Sequence, residues 1–129
     1  MKKIMFLLLM LPLLGRAQAH LGMTESEIKS EHPGLTFTSD VTTKGVRYTS
    51  VDMAYGTFFY YFDNNGISNY NIQIPYQMKD VNAQTEIYNN KYVILNDHSW
   101  KAYVNNGGLI YISLDYYVDS KLWVFSYSN

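Results

Sequence analysis

The chain has 129 residues, ten of them basic and eleven acidic, and no cysteine, which excludes a disulfide framework, a thiol nucleophile and a cysteine-bound metal. Lys2, Lys3 and Arg16 lie in the first nineteen positions, so the remaining 110 residues carry seven basic against eleven acidic groups, a formal charge of −4. Those seven basic residues are scattered, which argues against nucleic acid and against a polybasic membrane patch, because both need clustered Lys and Arg.

The start of the chain reads as an address. Lys2 and Lys3 precede an apolar run from Ile4 to Leu14, and Ala17-Gln18-Ala19 supplies small residues for a signal peptidase. The run is shorter than the roughly 20 residues a membrane span requires. Residues 1–19 are therefore expected to be a removed signal peptide, and residues 20–129 a single exported domain, periplasmic or secreted. No cysteine follows the leader to carry a lipid, so no membrane anchor is expected after cleavage.

From Leu21 to Pro33 the spacing predicts a helix, with Thr24 and Glu27 as a capping box and Met23 and Ile28 at the staple positions. The stretch Leu35 to Phe37 reads as a short extended piece and Thr38 to Gly45 as a polar loop. Strands are predicted at Val46–Met53, Thr57–Phe62 and Ile67–Ile74, the last two joined by an Asp63-Asn64-Asn65-Gly66 turn. A second helix is expected from Asp80 to about Lys91, with Val81, Gln84, Ile87, Tyr88 and Tyr92 along one stripe. Strands then recur at Tyr92–Leu95, Ser99–Val104, Leu109–Tyr116 and Leu122–Tyr127, with turns at Asn105-Asn106-Gly107-Gly108 and Asp119-Ser120.

Side by side, residues of about 21–75 and 78–128 read as two copies of one unit, a capped helix followed by a brief extended piece and three strands. The expectation is an α+β fold in which two helix-plus-three-strand units form one antiparallel sheet with both helices on one face. The other face is left to solvent. Leu122–Tyr127, ending the chain, is expected to be a sheet edge able to pair with a second copy, so the protein is a monomer or an edge-paired dimer.

The segment Leu21-Gly22-Met23-Thr24-x-x-Glu27-Ile28 resembles the helix start of small bacterial envelope proteins of the outer-membrane-assembly lipoprotein type and of β-lactamase-inhibitor-like domains. The resemblance implies a helix-plus-sheet fold that works by binding other proteins, and it carries no site residues across.

Thirteen tyrosines, all downstream of the leader, are the conspicuous excess. If Phe58, Tyr60 and Phe62 face the helices, alternation turns Phe59 and Tyr61 outward. The same parity reading leads to an outward recognition face of Tyr48, Asp52, Phe59, Tyr61, Asn69, Asn71 and Gln73. Strand propensity accounts for tyrosines in strands equally well.

Catalytic signals are weak. Asp97-His98-Ser99 holds the residue types of a hydrolase triad, but immediate neighbours cannot converge as one. Asp63 and Asp119 read as turn residues, while Asp52 or Asp115, within strands, offer carboxylates to a glycan-acting enzyme. His20 becomes the amino terminus after cleavage and would need His32 or His98 to hold copper; the plainer reading is an unstructured terminal residue. No catalytic residue, metal or cofactor is therefore assigned. The expected function is recognition of another envelope or extracellular protein, with a glycan-acting enzyme and a scaffold for a small apolar ligand as alternatives.

Overall fold

A computed structural model describes residues 20–103 and 108–129. The expected leader, residues 1–19, and most of the turn expected at residues 105–108 lie outside the described residues. Helix α1 (Glu25–Glu31) precedes strands β1 (Phe37–Val41), β2 (Arg47–Met53), β3 (Gly56–Phe62) and β4 (Ser68–Pro75). Helix α2 (Met78–Lys91) precedes β5 (Val93–Asn96), β6 (Ser99–Tyr103), β7 (Leu109–Tyr117) and β8 (Leu122–Ser128). All eight strands form one antiparallel sheet in the order β1-β2-β3-β4-β8-β7-β6-β5, so the two halves meet where β4 pairs with β8. No helix among the described residues is long and apolar enough to cross a membrane.

The local chemistry of α1 is what its sequence specifies. Thr24 Oγ1 accepts from the Glu27 amide at 3.2 Å, and Glu27 Oε1 accepts from the Thr24 amide at 3.1 Å, which completes the capping box. Ile28 is fully buried with Val51, Phe58, Tyr60 and Phe62, and Met23 packs against the same group. Helix α2 starts at Met78, ahead of the expected Asp80 cap, behind a Gln77 whose side chain makes no cap bond. It buries Val81, Gln84 and Tyr88 but leaves Ile87 46% exposed.

The expected pair of helix-plus-three-strand units beneath two helices is corrected by the strand count. Each helix is followed by four strands, and 51% of the described residues are strand against 20% helix. The additional strand is β1, at one edge; β5, at the other, lies where the short Tyr92–Leu95 strand is expected. β1 carries Thr38-Ser39-Asp40 with no apolar alternation, so its residues look like loop, yet all five pair with β2. A turn from Thr42 to Val46 closes that hairpin, with Gly45 at φ +85° and its amide bonded to the Thr42 carbonyl at 2.9 Å. β5 is four residues long and exposed throughout. An outer strand packs against little, and period-2 burial leaves little trace in its sequence.

The expected edge strand is corrected too. Leu122–Tyr127 falls in β8, which is flanked on both sides by β4 and β7 at the middle of the sheet. The edges are β1 and β5.

Pairing registers carry one face across the sheet. Phe58 and Tyr60 lie opposite Gln73 and Asn71, which lie opposite Phe125 and Tyr127; these in turn face Leu114 and Ile112, and Ile112 faces Trp100. Two apolar clusters occupy this face. One is built on Ile28, Phe58 and Tyr60, the other on Tyr88, Trp100, Phe125 and Tyr127. Between them runs a polar seam on β4: Ser68, Asn71 and Gln73 are 1%, 0% and 1% exposed. Gln73 Oε1 accepts from the Tyr127 hydroxyl at 3.0 Å, and the Tyr127 and Tyr88 hydroxyls bond to each other. These bonds offset the cost of burying Gln73 Oε1 and the two hydroxyls, while the Gln73 Nε2 is buried without a partner among the described residues.

Candidate functional site

The inward turn of Asn71 and Gln73 removes them from the expected recognition face, and their placement there is corrected. Alternation along β4 is real, but its apolar members, Ile72 and Ile74, are half-buried on the open side while its amides face the interior. A register shift between Tyr61 and Phe62 leaves Asn69 as the extra residue, exposed at a bulge. The bulge lets both Ser68 and Asn71 point inward although they are three apart.

Tyr48, Asp52, Phe59 and Tyr61 do share the open face, opposite in parity to Val51, Phe58 and Tyr60. Tyr48 pairs across the strands with Tyr61, which pairs with Tyr70. Ring centroids are 5.6 Å apart for Tyr48 and Tyr61, 6.1 Å for Tyr48 and Phe59, and 5.9 Å for Tyr61 and Tyr70. Tilted rings at these separations brace one another. Burial raises the Tyr61 phenol above its ordinary range, and the neighbouring phenols of Tyr48, Tyr70 and Tyr117 add to the rise.

The row continues into the second half. The Tyr70 hydroxyl meets Ser126 Oγ at 3.2 Å. Beyond it a groove of about 340 Å³ opens, floored by Ser113, Ser126 and Ser128 and walled by Tyr70, Tyr111 and Tyr117, with Asp115 in its lining. A second depression of about 570 Å³ lies between the Thr42–Val46 and Asp63–Gly66 turns and again reaches Tyr61 and Tyr70. Neither lies between helices and sheet, where the apolar-ligand reading would need it.

Tyr70, Tyr111 and Tyr117 were missed by reasoning from the sequence. Placing Asn69, Asn71 and Gln73 outward leaves Tyr70, Ile72 and Ile74 for the interior, where apolar residues are expected, whereas Tyr70 stands on the open face. The bulge at Asn69 has no signature in one sequence, and without it β4 cannot be phased to β3.

The remaining candidates dissolve geometrically. Asp52 on β2 and Asp115 on β7 are separated by four strand spacings, about 19 Å along the sheet, against the roughly 6.5–9.5 Å of an inverting pair. Asp97 and His98 form the turn between β5 and β6, where the His98 carbonyl accepts from the Leu114 amide at 2.7 Å. His20 is not an unstructured terminal residue. It is 2% exposed, its Nε2 lies 2.9 Å from His32 Nε2, its Nδ1 lies 3.5 Å from Glu31, and its carbonyl accepts from Ser68 Oγ at 2.7 Å. These contacts fasten the start of the described chain to α1 and β4. Among the described residues no group of three or more His, Cys, Asp or Glu side chains is arranged to hold a metal.

The chain matches no protein-family model, and neither a curated protein nor a solved structure is similar to it.

Proposed function

We propose that this is an exported binding protein that recognises another envelope or extracellular protein through the open face of its sheet. The observation that supports the reading is the mutually braced row of Tyr48, Phe59, Tyr61 and Tyr70 on a side where neither helix packs. Eight strands at about 4.8 Å and some six residues of strand length give a face of roughly 750 Å². That approaches the ≈ 800 Å² which each partner contributes to a standard protein interface. Tyrosine suits the role, since it presents a rigid apolar ring and a hydrogen-bonding tip and loses little entropy when fixed. The leader-like residues 1–19 support export.

Affinity capture from the envelope and culture fluid, with residues 20–129 as bait, tests the reading. Tyr48→Ala and Tyr61→Ala are each expected to weaken the captured complex by about thirtyfold, the size of an interface hot spot. Both variants should retain a cooperative unfolding transition, because the rings lie outside the two buried clusters. Undiminished capture by the double variant would refute the assignment of the face.

A further inference from the structure

We infer that the groove lined by Tyr70, Tyr111, Asp115 and Tyr117 receives an arginine side chain presented by the partner protein. The inference rests on the open-face reading and specifies the chemistry of its contact.

Strand parity assigns four charged residues to the open face, Asp40, Asp52, Asp115 and Lys101, so the face is acidic as well as aromatic. Lys101, paired opposite Tyr111, is the positive member of the four; Lys29 on α1 and Arg47, in phase with Thr49 and Val51, belong to the helix side. Lys29 and Arg47 meet Glu25 at 3.3 and 3.5 Å, and Lys101 lies over the Tyr103 ring at 5.6 Å from its centroid. Asp52 accepts a 2.7 Å bond from Thr57. Asp115, by contrast, has a single 3.4 Å contact from the Ser113 hydroxyl and no ion pair among the described residues.

An acidic side chain is disfavoured within a strand. Asp115 nevertheless stands in β7 between Ser113 and Tyr117 on the same face, in the lining of the groove. Small serines leave the floor low, and three phenol rings stand around it. A carboxylate beside aromatic faces matches a guanidinium: the planar cation stacks on the rings, donates two parallel bonds to the carboxylate and is weakly hydrated. A lysine ammonium is a strongly hydrated point charge that gains less from stacking. At about 340 Å³ the groove is at the small end of ligand sites, in scale with one inserted side chain.

The probe is the tripeptide N-acetyl-Gly-Arg-Gly-amide, titrated into isotopically labelled protein spanning residues 20–129 and followed by NMR. Its control is the same peptide with citrulline, which keeps the shape and removes the charge. The arginine peptide should shift the ring resonances of Tyr70, Tyr111 and Tyr117 saturably. Citrulline, or Asp115→Asn, should weaken that binding about ten- to hundredfold. Equal responses to the two peptides, or shifts that avoid these tyrosines, overturn the proposal. Asp115 is exposed, so Asp115→Asn should leave the unfolding midpoint unchanged, and lost binding would then report on the site. The capture experiment separates the two readings. A partner lost with Tyr48→Ala/Tyr61→Ala but kept with Asp115→Asn overturns the arginine contact and leaves the recognition face standing. A partner kept by both variants overturns the face itself.

Discussion

Raising the pH above 10 is expected to unfold this protein steeply. Tyr60, Tyr88 and Tyr127 are at most 1% exposed, and burial drives all three phenols well above their ordinary value of 10.0. The cause is the cost of placing a phenolate in a low-dielectric interior; for Tyr127 the adjacent Tyr88 hydroxyl reinforces it. In the unfolded chain the same phenols lose their protons near 10, whereas the folded protein retains them. Above that pH the unfolded state binds fewer protons, so stability falls as pH rises and is fully present below it. Each such group contributes about 1.4 kcal/mol per pH unit, so three together give a slope of about 4 kcal/mol per unit. A typical domain has only about 5–15 kcal/mol in total, so unfolding should be complete within a few units above 10.

Urea midpoints measured from pH 8 to 11.5, with phenolate absorbance followed in parallel, would check this. The buried phenols should titrate only with the unfolding transition. Tyr127→Phe should reduce the slope by about a third, because one of the three linked protons is gone. A midpoint that stays level through pH 11 would mean that these hydroxyls are open to solvent.

The second large effect concerns the phase of β4. Gln73→Lys is expected to destabilise by about 3–5 kcal/mol, whereas Ile74→Lys, its neighbour in the same strand, should cost about 1 kcal/mol or less. Gln73 is 1% exposed between Phe58 and Phe125, and it accepts the Tyr127 hydroxyl bond. A lysine there would bury an unpaired ammonium and leave the Tyr127–Tyr88 pair without its acceptor. At position 74 the long side chain can lay its methylenes along the open face and keep its charge in water. Hydropathy alone gives the opposite ranking, with Ile74 intolerant and Gln73 indifferent. Thermal or urea unfolding of the two variants decides between the phases, and comparable losses in both would contradict the seam.

Local chemistry is where reasoning from the residues succeeded. Thr24, Glu27, Met23 and Ile28 state the start of α1, because a capping box is complete within four residues and needs no partner elsewhere. The Asp63–Gly66 turn is equally local: Asp63 Oδ1 accepts from the Asn65 and Ile67 amides at 2.9 and 3.0 Å, and Gly66 takes φ +77°. Alternation in β3 likewise sorted Phe58, Tyr60 and Phe62 from Phe59 and Tyr61.

What failed is what depends on a neighbour distant in the chain. Nothing in Thr38-Ser39-Asp40 says that a strand lies alongside, because an outer strand is held by the backbone of its partner and not by its own side chains. The end of the chain gives no hint that Leu122–Ser128 runs between β4 and β7, fifty residues or more from the former. Its pairing with β4 gives the buried Gln73 amide the Tyr127 hydroxyl, a bond that exists only when the two halves join, whereas Ser68 and Asn71 bond within β4 itself. The residues thus determined the helix start, the tight turns and the face of β3, whose interactions span a few positions. Tertiary structure decided the eight-strand order, the inversion of β4 and the gathering of Tyr70, Tyr111, Asp115 and Tyr117, because cross-strand register is set by contacts that a single sequence does not display.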